Sequence, residues 1–86
     1  MVNLTHSARE HILSILAGQD DGVVLRIFQG ENGLEMETGR VRNGDSTYDC
    51  GNQAILAIDQ MTARTLIGKT IDTVTVDDVM KLELVD

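Results

Sequence analysis

The stretch Ile58-Asp59-Gln60-Met61-Thr62-Ala63-Arg64-Thr65-Leu66-Ile67-Gly68-Lys69-Thr70-Ile71-Asp72 holds the most specific pattern in this 86-residue chain. Asp59 can accept a backbone N–H from the first turn, which predicts an N-cap for a short helix from Gln60 to Leu66 or Ile67. Gly68 stands in the C-terminal capping position, where a left-handed backbone is wanted. Just upstream, Ala54-Ile55-Leu56-Ala57-Ile58 is an uninterrupted apolar run of strand length, which predicts a central strand buried on both faces. Downstream, Thr70 to Val76 and Met80 to Val85 read as strands, with Met80, Leu82 and Leu84 on one side and Lys81 and Glu83 on the other.

Working outward toward the N-terminus, Gly51-Asn52-Gln53 is a tight turn and Ser46 to Cys50 a short strand. Val23, Leu25 and Ile27 alternate with Val24, Arg26 and Phe28 as a strand with at least one buried face. Leu34 to Val41 is its partner across the loop Gln29-Gly30-Glu31-Asn32-Gly33-Leu34. Val41 falls out of phase with Leu34 and Met36, so Gly39 is expected to be a β-bulge that lets Arg40 and Arg42 change face beside Glu35 and Glu37. Asp20-Asp21-Gly22, Asn43-Gly44-Asp45 and Asp77-Asp78 read as turns. Ser7-Ala8-Arg9-Glu10 has the form of a capping box, which starts a helix whose apolar stripe is Ala8, Ile12, Ile15 and Leu16 and which Gly18 ends. Leu4 is expected either to staple that helix or to form a short leading strand. The order of elements predicts an α+β fold, mostly β, with mixed or antiparallel sheets in a single domain spanning residues 1–86.

Composition narrows the function. Fourteen acids against seven bases give a net charge of −7, which opposes nucleic-acid or anionic-membrane binding, since both want a basic face. Phe28 and Tyr48 are the sole aromatics and there is no Trp, so aliphatic and Met packing must carry the core. The single Cys50 cannot form an internal disulfide or assemble a thiolate metal site within one chain, which fits a cytoplasmic setting. Residues 1–8 lack the pattern of a signal peptide, and no apolar run approaches the roughly 20 residues that span a bilayer.

The segment Ile58 to Asp72 resembles the V-D-x-x-S…L-x-G-x-x-I-D segment of the HesB-like, or A-type carrier, family of iron–sulfur cluster biogenesis. Gly30-Glu31-Asn32-Gly33-Leu34 is similar to that family's G-C-S-G-M loop at both glycines, and Asn3-Leu4-Thr5-His6-Ser7-Ala8 looks like its start. The resemblance implies a HesB-like fold. In the family a loop cysteine and a C-terminal C-G-C pair supply thiolates, usually shared between subunits. Here Glu31 holds the loop-cysteine position, no C-G-C pair follows Lys81-Leu82-Glu83-Leu84-Val85, and Cys50 corresponds to no family ligand. The resemblance therefore implies the fold without the cluster ligands, and Gly30, Glu31, Asn32 and Gly33 as the remnant of the ligand loop.

Each remaining candidate has a plain alternative. Glu31, with Asn32 as a second donor, has the oxygen chemistry of a hard-metal ligand, yet a solvated hairpin tip explains the loop as well. Cys50 could be a reactive thiol or a bridge between two subunits, but it has Asp49 beside it rather than an activating cation, so a small core residue or an inert thiol is expected. His6 and His11 are five residues apart and fall on different faces of a helix, whereas a histidine ligand pair wants a spacing of four. Asp20-Asp21 and Asp77-Asp78 lack the ligand spacing of a calcium loop.

These readings predict a non-enzymatic protein with no catalytic residues and no bound metal or cofactor. It is expected to be an accessory or interaction module related to iron–sulfur cluster assembly, with a protein partner. The alternatives are an oxygen-ligated iron or divalent-metal binder centred on Glu31, and an interaction domain unrelated to iron–sulfur biology. A chain with so few large side chains would gain from burying an edge strand or the Leu34/Met36 face in a homodimer.

Overall fold

The computed structural model describes residues 2–31 and 33–85. Its elements run β1 (Asn3–Leu4), α1 (His6–Leu16), β2 (Val24–Gly30), β3 (Gly33–Gly39), β4 (Ser46–Cys50), β5 (Gln53–Ile58), α2 (Gln60–Thr65), β6 (Thr70–Val76) and β7 (Val79–Val85). They form two mixed sheets, one of three strands in the order β1-β6-β7 and one of four in the order β3-β2-β5-β4. β1 is parallel to β6 and β2 to β5, while the β2/β3, β4/β5 and β6/β7 pairs are antiparallel. The α+β, mostly β architecture read from the sequence is the one observed.

The apolar run is the centre of the four-stranded sheet. Ile55, Leu56, Ala57 and Ile58 are all fully buried, because β5 lies between β2 and β4 and both of its faces are covered. An extra residue makes this denser: pairing shifts from Tyr48↔Leu56 to Asp49↔Ala54, so Ile55 has no opposite number on β4. α1 packs against β6 and β7 of one sheet and β2 and β5 of the other. Its buried face, Ala8, Ile12 and Leu16, joins one core cluster with Leu25, Ile27, Leu56, Leu66 and Ile71. Each fully buried Leu or Ile contributes on the order of 1.5–3 kcal/mol.

The caps follow the side chains that can reach free backbone groups. Asp59 N-caps α2, accepting from the Thr62 N–H at 2.8 Å, and Gly68 adopts φ +82°. Gly18 leaves α1 at φ +85°. The start of α1 differs from the capping box expected at Ser7: Thr5 is the N-cap, its hydroxyl accepting from the Ala8 N–H at 3.1 Å. Thr5 wins because the same hydroxyl donates to Asp72 Oδ1 at 2.8 Å, while the pairing of β1 with β6 runs up to it, through Asn3 N–H to the Lys69 carbonyl and Thr5 N–H to the Ile71 carbonyl. Leu4 is thus in a leading strand. Ser7, one turn position later, meets the Thr73 hydroxyl instead, at 2.6 Å.

A second correction concerns Gly39. β3 pairs with β2 in unbroken register from Gly30↔Gly33 to Val24↔Gly39, so no bulge occurs and the strand ends at Gly39. Arg40 and Arg42 are therefore not on a strand face with Glu35 and Glu37. Arg40 donates to the Asp21 carbonyl at 2.8 Å, and the Arg42 N–H donates to Asp45.

Candidate functional site

The β2/β3 hairpin closes at the Gly30↔Gly33 pair, which leaves Glu31 exposed at the tip. Asn32 lies outside the described residues. Gly33 has φ +108°, a left-handed backbone that a side chain resists. The Glu35 carboxylate folds over Gly30, in the space a Cβ would take there. Gly33 is thus glycine for a local backbone reason, and Gly30 leaves room for the Glu35 side chain.

Behind the tip, the sheets part. Leu34 and Met36 on β3 and Leu82 and Leu84 on β7 line an apolar cleft of about 200 Å³, with Ile27 and Ile71 contributing from the neighbouring strands. Leu34 follows the hairpin loop directly and Leu84 stands at the end of β7, so the loop and the end of the last strand approach the same cleft. Leu34 and Met36 remain 38% and 45% exposed, which leaves the face named above for dimer contact open.

Cys50 is remote from this place. It pairs with Gln53 at the start of β5, whereas Ile27, three residues before the hairpin closes, pairs with Ile58 at the end of β5. At about 3.3 Å per residue the thiol and Glu31 are separated by roughly 25 Å along the sheet. Cys50 is half-buried against the core cluster. His6 sits at the start of α1 with Nε2 3.2 Å from Glu10 Oε1, both side chains exposed; His11 is half-buried and lines a cleft with Ile15 and Leu25. Asp77 and Asp78 make the β6/β7 turn with φ 52° and 66°. Among the described residues no three His, Cys, Asp or Glu side chains converge as a metal site would require.

Thiolate ligation of an iron–sulfur cluster does not fit the residues present at the hairpin. The one sulfur in reach of such chemistry, Cys50, lies at the opposite end of the sheet, and Glu31 offers a single exposed carboxylate.

Sequence reasoning missed Arg26. It is 4% exposed within β2, and its Nη2 lies 3.1 Å from both carboxylate oxygens of Asp45. Its Nε has no hydrogen-bond partner among the described residues. The outer face holding this pair carries a polar cleft shared with Glu37, Arg42 and Asp59. Thr62, whose backbone N–H donates to it, and Arg26 more weakly hold the Asp59 carboxyl below the usual aspartate range, with burial acting the other way. The signal in the sequence was an arginine flanked by Leu25 and Ile27 in a strand, followed by a turn aspartate able to meet it.

No family model and no curated protein matches the sequence. Solved structures do. SufA of Escherichia coli, involved in the biosynthesis of iron–sulfur clusters, superposes with a TM-score of 0.77 at 20% identity, over 96% of this chain and 82% of SufA. IscA, solved with a 2Fe–2S cluster, superposes with a TM-score of 0.62 at 17% identity, over 98% of this chain and 83% of IscA. No helix of the described residues is long and apolar enough to cross a membrane. The chain has the α+β fold of the HesB-like A-type iron–sulfur carriers.

Proposed function

We propose that this protein is a degenerate A-type carrier domain, a non-catalytic accessory module that docks onto a protein of iron–sulfur cluster assembly without itself carrying the cluster. The observation that carries this reading is the hairpin loop: its glycines and its approach to the end of β7 match a ligand loop, while Glu31 stands where the resemblance puts a thiolate. The sole cysteine, Cys50, is half-buried roughly 25 Å away along the sheet.

The exposed Leu34 and Met36 beside the loop supply the apolar surface a docking module needs, and the exposed Glu31 at the hairpin tip favours a partner with a basic group at its rim. Among the described residues no nucleophile, base and orienting group come together. Capture of partners from native extract tests the reading, with Met36→Lys as the control. Recovery of cluster-assembly proteins by the wild type and their loss in the variant is the expected result; partners from unrelated processes would contradict it.

A further inference from the structure

The gap between the two sheets has an open strand on each side, β3 of the four-stranded sheet and β7 of the three-stranded one. The apolar cleft behind the hairpin runs on past Met36 and Leu82, which it shares with a second cleft of about 450 Å³ reaching Thr38 and Ile15. Together they make a trough whose lining includes the core residues Leu25, Ile27 and Ile71. The core is therefore not sealed along this side, and apolar groups are favoured over water there.

β3 is the wall suited to receive a strand. Two residues separate Gly30 from Gly33, so that pair is hydrogen-bonded in both directions, and counting by twos along the unbroken register makes Phe28↔Glu35 and Arg26↔Glu37 hydrogen-bonded pairs as well. The backbone groups of Leu34, Met36 and Thr38 therefore point to the open edge, and these same residues line the trough. Devices that usually blunt an edge are missing from this one, for β3 is seven residues long and has neither a proline nor a bulge.

The intervening residues of β3 decide which strand can be added. Glu35 and Glu37 alternate with Leu34, Met36 and Thr38 and are exposed. Glu37 stands opposite Arg26, but that guanidinium is committed to Asp45 at 3.1 Å, so Glu37 forms no ion pair among the described residues. Pairing β3 with β3 of another copy, centred on Glu35, Met36 or Glu37, brings acid against acid and is disfavoured. A strand with lysine or arginine at alternate positions meets the same carboxylates favourably, and its other residues fall on the trough side. β7, on the far wall, alternates Lys81 with Glu83 and makes no such choice of sign.

We propose that β3 accepts an extended segment of a partner protein as a further strand of its sheet. The segment covers about five residues, the span of Leu34 to Thr38, with apolar residues at alternate positions seated in the trough against Leu34, Met36 and Leu82 and basic residues between them facing Glu35 and Glu37. This rests on the docking role given above to Leu34 and Met36, and adds to it the chemistry of the segment that docks.

The probe is a short synthetic peptide of alternating lysine and valine, blocked at both ends, and binding to the full chain is read from amide shifts in proton–nitrogen NMR spectra. The peptide is expected to bind and to shift the amides from Leu34 to Thr38, and Glu37→Lys, its fold checked by circular dichroism, to weaken binding by about fivefold or more. A peptide of alternating glutamate and valine should not bind. N-methylation of alternate peptide residues should abolish binding in the phase whose N–H groups face β3 and spare it in the other, whereas charge attraction alone treats both phases alike. No binding of the lysine peptide at millimolar concentration, shifts centred away from β3, or equal loss in both phases overturns the proposal. Capture from native extract separates it from the reading it rests on. Cluster-assembly proteins captured by the wild type and lost in Met36→Lys, with no binding of the lysine peptide, keep the docking role and overturn strand addition; phase-dependent peptide binding without such capture supports strand addition and contradicts the role in cluster assembly.

Discussion

Arg26 and Asp45 form a buried ion pair across 19 positions of sequence, their side chains 5% and 3% exposed. Arg26 lies on an inner strand of the four-stranded sheet, and Asp45 stands just ahead of β4, where it also accepts the Arg42 N–H at 2.8 Å. The pair therefore fixes the connection from β3 to β4 against the outer face of the sheet. Removing Asp45 alone leaves a buried guanidinium without its counter-charge. Asp45→Ala is expected to lose about 3–5 kcal/mol of stability, and Arg26→Met together with Asp45→Ala to recover most of that. Urea denaturation of the double-mutant cycle measures this; additive losses would show that the pair is not coupled.

Thr5 holds two elements at once, capping α1 and donating to Asp72 on β6. Thr5→Ala is expected to cost about 1–2 kcal/mol, the range for a lost N-cap. Ser7→Ala, at an exposed hydroxyl, should stay within about 0.5 kcal/mol. Thermal melts of the two variants separate the assignments, since a capping box at Ser7 would reverse their order.

These two relationships show where the sequence was legible. Asp59 with Gly68, Gly51 before β5 and the Ala54 to Ile58 run are signals that act within a few residues, and each element formed where they put it. Ser7 looked like the cap because its partner Glu10 is local, whereas Thr5 is chosen by Asp72, 67 residues away. Gly39 looked like a bulge because Val41 broke the alternation, but the strand simply ends there. The irregularity lies at Ile55, where pairing with β4 decides it. Arg26 was read as half of an alternating pattern, since burial of an arginine depends on an aspartate that sequence spacing alone does not bring to it. At the candidate site the loop residues were legible, while its approach to the end of β7 and the remoteness of Cys50 depend on sheet register.

Asp59 gives the protein a pH-dependent cap. Its folded-state pKa is depressed, chiefly by Thr62, so its stabilising contribution is present above the unfolded aspartate value and is lost as pH falls through the folded one. Asp59→Asn, which can still cap, should flatten the fall in urea midpoint below about pH 4. An unchanged acid limb in that variant would assign the acid sensitivity to other carboxylates.

Tyr48 links the two sheets by donating to the Val2 carbonyl at 2.8 Å. Burial pushes its phenol above the usual tyrosine value, with the Val2 hydrogen bond acting the other way. Tyr48→Phe is expected to cost about 0.5–1.5 kcal/mol, and ultraviolet titration of the single tyrosine should place its ionisation above that of a free phenol; a titration at the free value would contradict the buried link.

The central claim is that a carrier scaffold persists here with a hairpin loop that has no cluster chemistry. Anaerobic reconstitution with iron and sulfide tests it most directly. The expected result is a protein that, after desalting, retains neither visible cluster absorption nor bound iron and sulfide. A stable cluster retained by the wild type and lost in Glu31→Ala or Cys50→Ser would contradict the claim.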